Sequence, residues 1–214
     1  VATDAFTETQ AGGLTPYRVF DIVLSLVAIV FLAPLFIAIA VMVRAQDGGP
    51  AIFAHRRVGL GGRMFRCHKF RSMCVDSDAR LAAHLAADPA ARLQWAEDHK
   101  LRNDPRITAL GSFLRRSSLD ELPQFLDVLR GDMSLVGPRP IVEAEAARYG
   151  RYFAHYCANK PGITGLWQVS GRNNVSYRRR VAMDVVYARR RTMQLYLRIL
   201  VATLPAVVLR RGAL

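Results

Sequence analysis

Hydrophobic and polar positions along this chain change character near residue 44 and again near residue 190. From Ile22 to Val43, 22 residues (IVLSLVAIVFLAPLFIAIAVMV) pass without a charge. As a helix this segment is roughly 33 Å long, the thickness of a bilayer's hydrocarbon core. It is too long for a signal-peptide core, and Arg44-Ala45-Gln46-Asp47 follows it instead of a small-residue cleavage site. Hydropathy alone predicts a straight spanning helix. Pro34 near the midpoint removes a backbone donor, and Arg18 and Arg44 flank the segment on both sides, so charge selects no orientation. A helix broken at Ala33-Pro34, entering and leaving on one side, is the alternative. Residues 1–16 are polar and Gly-containing, which predicts a flexible N-terminal segment. The chain starts on Val, which leaves an upstream segment open.

Past Val43 the pattern is mixed. Asp47-Gly48-Gly49-Pro50 is a turn signal. The runs AIFAHRRV and RMFRCHKFRSM around Gly59-Leu60-Gly61-Gly62 predict a β-hairpin. Lys69 and Arg71, two apart on its second arm, share a face if that arm is extended. Residues 75–103 are Ala-rich and interrupted at Asp88-Pro89, predicting two surface helices with Trp95 as a packing residue. Leu122, Phe125, Leu126 and Leu129 follow i, i+3, i+4, i+7 spacing, one apolar face of a short helix that Gly131 is placed to end. Met193 to Leu209 is apolar again, with Arg198 inside it and Arg210 and Arg211 after it. That helix either lies at a membrane surface, its arginines reaching lipid phosphates, or packs in the core; Pro205 kinks it in both readings. These elements make an α+β fold, predominantly helical.

Composition narrows the partner. The 214 residues are 51% hydrophobic, yet Lys+Arg number 30 against 17 Asp+Glu, a formal charge of +13. Nucleic acid would account for the charge and not for the apolar content, so no nucleic-acid partner is expected; an anionic membrane surface or a lipid phosphate accounts for both. Cys67, Cys74 and Cys157 are odd in number and irregularly spaced, which excludes a disulfide framework and favours a reducing compartment. The five histidines form no HxH or HxxxH pair.

Candidate chemistry concentrates between Arg115 and Gln124. Asp120 and Glu121 open the amphipathic helix, where the helix dipole favours anions, and Ser117 or Ser118 is placed to cap it. Ordinary first-turn acids would look the same in isolation. Around the pair, however, stand Lys69, Arg71, Arg115 and Arg116, and Arg139 is fixed between prolines in Gly137-Pro138-Arg139-Pro140. Further on, the run from Lys160 to Asn174 is a Gly- and polar-rich loop of the kind that approaches a nucleotide, though neither a Walker A loop nor a GxGxxG turn. Several cations around two carboxylates point to phosphate chemistry with a divalent metal, and an aspartate can attack phosphorus directly.

Taken in order, these runs resemble the bacterial sugar transferases, the monotopic phosphoglycosyl transferases. The matching pieces are the apolar hairpin with a central Pro, KFRSM, SLDELPQ, RGDMSLVGPRP and KPGITGLWQVSGRN, which cover most of residues 17–190. Among subfamilies, HRRVG, NDPR and NNVSYRRRV look most like enzymes that prime exopolysaccharide with galactose 1-phosphate. The resemblance implies a re-entrant membrane helix over 17–44 and a cytoplasmic and interfacial catalytic domain over 45–214, at the bacterial inner membrane. It implies transfer of a sugar 1-phosphate from a UDP-sugar to undecaprenyl phosphate with release of UMP, supported by Mg2+. Galactose is the first expectation, glucose the next and an N-acetylated sugar the third. Carried over by residue, Asp120 is the nucleophile and Glu121 the metal ligand or acid/base. Both acids would hold the metal. Lys69, Arg71, Arg115 and Arg139 would bind phosphates, and Gln168 and Arg172 would lie by the nucleotide. A homo-oligomer is compatible with this and required by none of it. The family usually carries Asp in a WSLWLDL-like run where this chain has Tyr196. Either Asp184 or another acid replaces it, the enzyme is impaired, or the register differs. The competing readings are a polytopic transferase, which needs more spanning helices, and a non-catalytic membrane-anchored scaffold, which would tolerate Asp120→Asn.

Overall fold

A computed structural model describes residues 14–98, 101, 103–171 and 175–208. The apolar segment is one continuous helix, α1 (Pro16–Asp47, 32 residues), roughly 48 Å long. Thr15 caps it by accepting from the Arg18 amide, Pro16 occupies its first turn, and Gly48 ends it in the left-handed conformation at φ 73°. The break expected at Ala33-Pro34 is absent, and the boundaries are wider than 17–44. Pro34 forfeits one backbone bond, to the Val30 carbonyl, and the other bonds of a helix this long continue past it. The flexible segment expected at the N-terminus lies, up to residue 13, outside the described residues.

Strands β1 (Ile52–Val58) and β2 (Met64–Phe70) form the expected hairpin, in register from Ile52–Phe70 to Val58–Met64. Helices α2 (Ser77–Ala87) and α3 (Pro89–Asp98) meet at Asp88, whose carboxylate accepts from the Ala90 and Ala91 amides. Trp95 packs under the Arg106 guanidinium. Next come α4 (Ala109–Ser117), a 3-10 turn (Leu119–Glu121), α5 (Gln124–Arg130) and β3 (Ser134–Val136). Two short helices, α6 (Ala146–Tyr149) and α7 (Phe153–Cys157), lead to β4 (Gly162–Thr164), which pairs in parallel with β3. The chain ends through α8 (Leu166–Val169), α9 (Tyr177–Arg189) and α10 (Met193–Val208).

The amphipathic reading of α5 needs revision. Leu122, Phe125 and Leu129 are half-buried and Leu126 is exposed, while Gln124, Asp127 and Val128 face the interior. The reason is Asp127, which is fully buried and accepts from both the amide and the Nδ1 of His68 on β2. Satisfying that carboxylate turns the polar side of α5 inward. Gly131 ends the helix as expected, at φ 93°. Helix α10 packs in the core through Tyr196 and Ile199, while Leu197, Val201 and Leu204 on it are exposed. Arg210 and Arg211 lie outside the described residues.

Both ends of α1 dock on the same globular body. At its start, the Arg18 guanidinium donates to the carbonyls of Val128 and Leu129, and buried Asp21 accepts from the Ser134 hydroxyl, the Leu135 amide and the Tyr196 hydroxyl. At its end, Ile39 and Val43 pack with Phe70 and Leu114, and Asp47 pairs with Arg71. The outer face carries Val23, Val27, Val30, Phe31 and Ile37, all exposed. Among the described residues α1 is the one helix long and apolar enough to cross a membrane.

Candidate active site

The hairpin builds one wall of a cleft. Arg57 stands opposite Phe65, His55 opposite Cys67 and Phe53 opposite Lys69, so Arg57, Cys67 and Lys69 project from one face. All three line the cleft, together with Glu121, Gln124, Arg139, Gly162 and Gln168. Burial pushes the Cys67 thiol up to about 11, which keeps it neutral and inert as a nucleophile.

The Asp120-Glu121 pair sits in the 3-10 turn and not on the α-helix expected to begin there. Ser117 and Ser118 do not cap that turn. Ser117 donates back to the Phe113 and Leu114 carbonyls, and Ser118 ends α4 in the left-handed region at φ 59°. A non-glycine residue held there is strained, and the strain falls two residues before Asp120. The turn aims both carboxylates at one ammonium: Lys69 Nζ lies 2.6 Å from Glu121 Oε1 and 3.4 Å from Asp120 Oδ2. Glu121 is also 3.7 Å from Arg139. Asp120 is buried, and no hydrogen bond reaches its Oδ1 among the described residues. Burial raises the Asp120 carboxyl above its ordinary range, opposed by the Lys69 charge and reinforced by Glu121.

Arg115 joins the centre from the α4 side. Its Nε donates to Ser72 Oγ at 2.8 Å and its charge acts on Asp120. Gly111 lets α4 approach this closely, because a Cβ there would collide with the Ser72 carbonyl. Arg139 arrives on a backbone contact: Gly137 and Gly162 touch main chain to main chain where β3 meets β4, and a Cβ on either would collide with the other segment. Gln168 donates to the Ile163 carbonyl, while its Oε1 is buried without a partner among the described residues, as a site awaiting a donor would be.

Arg71 is not brought to the site. It lies beyond the end of β2, and its guanidinium holds the Asp47 carboxylate and the Pro50 and Val43 carbonyls. Arg71 is drawn away from Lys69 by the Asp47 carboxylate and these carbonyls at the end of α1. Arg172 lies outside the described residues. Arg57 and Gln124 are cleft residues that sequence reasoning missed. The alternation of HRRV carried the signal for Arg57, whereas Gln124 gave none. Asp184 does not replace the missing family acid: it is buried against the Tyr149 hydroxyl and lines no part of the cleft. Tyr196 is likewise remote, bonded to Asp21 at the root of α1, where it serves a structural joint.

The expected Mg2+ finds an incomplete set of ligands. Among the described residues no group of three or more acidic, His or Cys side chains could hold a metal, and the Lys69 ammonium stands between the two acids. Two carboxylates still suit Mg2+, which takes one or two and completes its shell with water and substrate phosphates.

Comparison with known proteins follows the same pattern. The sequence profile of the bacterial sugar transferases matches residues 14–210. The undecaprenyl-phosphate galactose phosphotransferase of Salmonella typhimurium is 52% identical over 92% of this chain and 41% of its own length. The exopolysaccharide production protein ExoY of Rhizobium meliloti is 45% identical over 97% of this chain and 94% of its own. The UDP-glucose:undecaprenyl-phosphate glucose-1-phosphate transferase of Xanthomonas campestris is 41% identical over 90% of this chain and 39% of its own. This chain thus spans about two-fifths of the Salmonella and Xanthomonas relatives and nearly all of the Rhizobium one. On that match, over nearly the whole chain, the protein belongs to the bacterial sugar transferase family.

Proposed function

We propose that this chain transfers a sugar 1-phosphate from a UDP-sugar to undecaprenyl phosphate at the bacterial inner membrane, releasing UMP and opening exopolysaccharide synthesis. The observation that carries the reading is the asymmetry of the acid pair. Glu121 is clamped by Lys69 and Arg139, whereas Asp120 has one long contact and an oxygen without a hydrogen bond. Asp120 is therefore the nucleophile. One carboxylate oxygen attacks the sugar-bearing phosphorus, the bond from that phosphorus to the bridging oxygen breaks, and UMP departs with the bridging oxygen. An oxygen of undecaprenyl phosphate then attacks the same phosphorus, and the bond to Asp120 breaks to restore the carboxylate. Lys69, Arg115, Arg139 and Arg57 offset the repulsion between an anionic nucleophile and anionic substrates. Mg2+ held by Asp120 and Glu121 would add further charge neutralisation at the diphosphate. Galactose is the sugar we favour, since the Salmonella relative bears that name.

The two docked ends of α1 support a monotopic placement. Arg18 and Asp47 are bonded to one body, so a crossing helix would draw that body through the bilayer. The helix then lies with both ends on the cytoplasmic side and its apolar outer face in lipid. The decisive experiment offers a panel of UDP-sugars to the full chain, with and without undecaprenyl phosphate, and follows UMP and the mass of the protein. UMP formation with a phosphosugar adduct on Asp120 is expected, and Asp120→Asn should lose both. A chain that releases UMP from no common UDP-sugar is not this enzyme, and a scaffold would be indifferent to the substitution.

A further inference from the structure

A second group of cations lies away from the Asp120 centre, at the corner where α1 and α10 begin. The Arg18 guanidinium and the Lys160 ammonium both stand about 3.5 Å from the point where a Cβ on Gly131 would sit. Arg191 joins them through Tyr17: its guanidinium covers that ring at 4.2 Å, and the ring meets Tyr196 of α10 edge-on at 5.6 Å. Arg18 is occupied by the carbonyls that end α5, and Arg191 reaches the Tyr187 hydroxyl. Lys160 is different. It is half-buried, with no hydrogen bond and no carboxylate within ion-pair distance among the described residues. Arg191 Nε is also buried without a partner among them. Asp21 and Asp132 act on Lys160 only from further off, and the Asp21 carboxylate is already committed to Ser134, Leu135 and Tyr196. Burial and the two neighbouring guanidinium groups push the Lys160 ammonium down. An unpaired half-buried ammonium beside two arginines calls for an anion.

The surroundings say what kind of anion. The two helices that begin here, α1 and α10, also carry exposed apolar residues (Val19, Phe20 and Val23; Leu197, Val201 and Leu204). Cations at the root of two helices whose outer residues are apolar match the chemistry of a lipid that ends in phosphate. We propose that Arg18, Lys160 and Arg191 form a second anion site, which takes the phosphate of a membrane lipid lying along α1 and α10. The inference rests on reading α1 as embedded in the membrane.

The sequence makes the test direct, because its lysines are Lys69, Lys100 and Lys160. Full chain in alkyl maltoside micelles, which contain no phosphate, is acylated with an amine-reactive ester, and each lysine is followed by mass spectrometry. Added polyprenyl phosphate should slow acylation of Lys160 by about tenfold, and uncharged polyprenol of the same length should leave it unchanged. Arg191→Gln should restore most of the lost rate. Equal protection by phosphatidylglycerol would assign the site to bulk anionic lipid. Protection by polyprenyl phosphate alone would assign it to the acceptor class. If Lys160 reacts at the same rate with either phosphate lipid, or only Lys69 is protected, the second site does not exist. If Arg191→Gln does not fold, Lys160→Gln serves instead, with polyprenyl phosphate retained through gel filtration expected to fall by about tenfold and undiminished retention overturning the site. Vesicle flotation and UMP release on the same preparation report membrane embedding and catalysis separately.

Discussion

At the scale of single residues, Lys69 has two tasks that pull on Asp120 in one direction. It draws the pair of acids together, and its charge holds down a carboxyl that burial would raise further. On the proposed mechanism Asp120 attacks as its carboxylate, so activity should rise with pH along an acid limb lying above the ordinary carboxylate range. Lys69→Met removes the opposing charge. Its acid limb should move to still higher pH, and kcat should fall by about a hundredfold at neutral pH, as loss of one electrostatic contact to a developing charge does. A pH profile of UMP release that is merely scaled down, with its limb unmoved, would contradict this coupling. Tyr196 calls for the opposite expectation. Because its hydroxyl serves Asp21 and not the cleft, Tyr196→Phe should lower stability by about 1–3 kcal/mol while leaving kcat within twofold, read by denaturant titration beside the UMP assay.

Among the elements, α9 carries a buried acid whose effect depends on pH. Burial pushes the Asp184 carboxyl to about 7 from an ordinary 3.8, although the Tyr149 hydroxyl donating to it works the other way. The folded state therefore holds a proton that the unfolded state has released, and stability falls as pH rises from about 4 to about 7. Asp184→Asn keeps an acceptor for Tyr149 and removes the titration. It should match the parent near pH 4 and melt at higher temperature at pH 8; thermal melts at both pH values decide. Elements were also where sequence reading was strongest and where it failed most instructively. The hairpin, the α2–α3 pair around Asp88-Pro89 and the Gly131 stop were legible, because turn chemistry and alternation are local. The inward side of α5 was not, because nothing near Asp127 in sequence announces His68, 59 residues earlier. Likewise Arg71 looked like a partner of Lys69 by spacing, and Asp47, 24 residues earlier, draws it elsewhere.

For the whole molecule, the governing fact is that one long apolar helix is anchored twice to one body. Cysteines placed at Thr15 and Gln46, in a background with Cys157 replaced, should both be labelled from the cytoplasmic side in inverted membrane vesicles. Labelling of either from the outer face of intact cells would sink the monotopic placement. The acid pair and its cations were legible as motifs, but their convergence was not, since it depends on Gly137 and Gly162 touching across the β3–β4 pair. The bond from Tyr196 to Asp21 joins residues 175 apart in the chain. During synthesis Asp21 leaves the ribosome long before its partner exists. At roughly 5–20 residues per second the wait is on the order of ten to thirty-five seconds. Ser134 and Leu135, 113 and 114 residues on, can reach Asp21 first, and until Tyr196 follows the buried carboxylate lacks its third donor. On the membrane placement proposed above, lipid or an insertion factor would shelter the helix from its first seconds, and the globular body would assemble onto a helix already in place. On that placement, delivery to the membrane is a step within the folding of this protein, and a chain made without membranes should stall with α1 undocked and Tyr196 exposed.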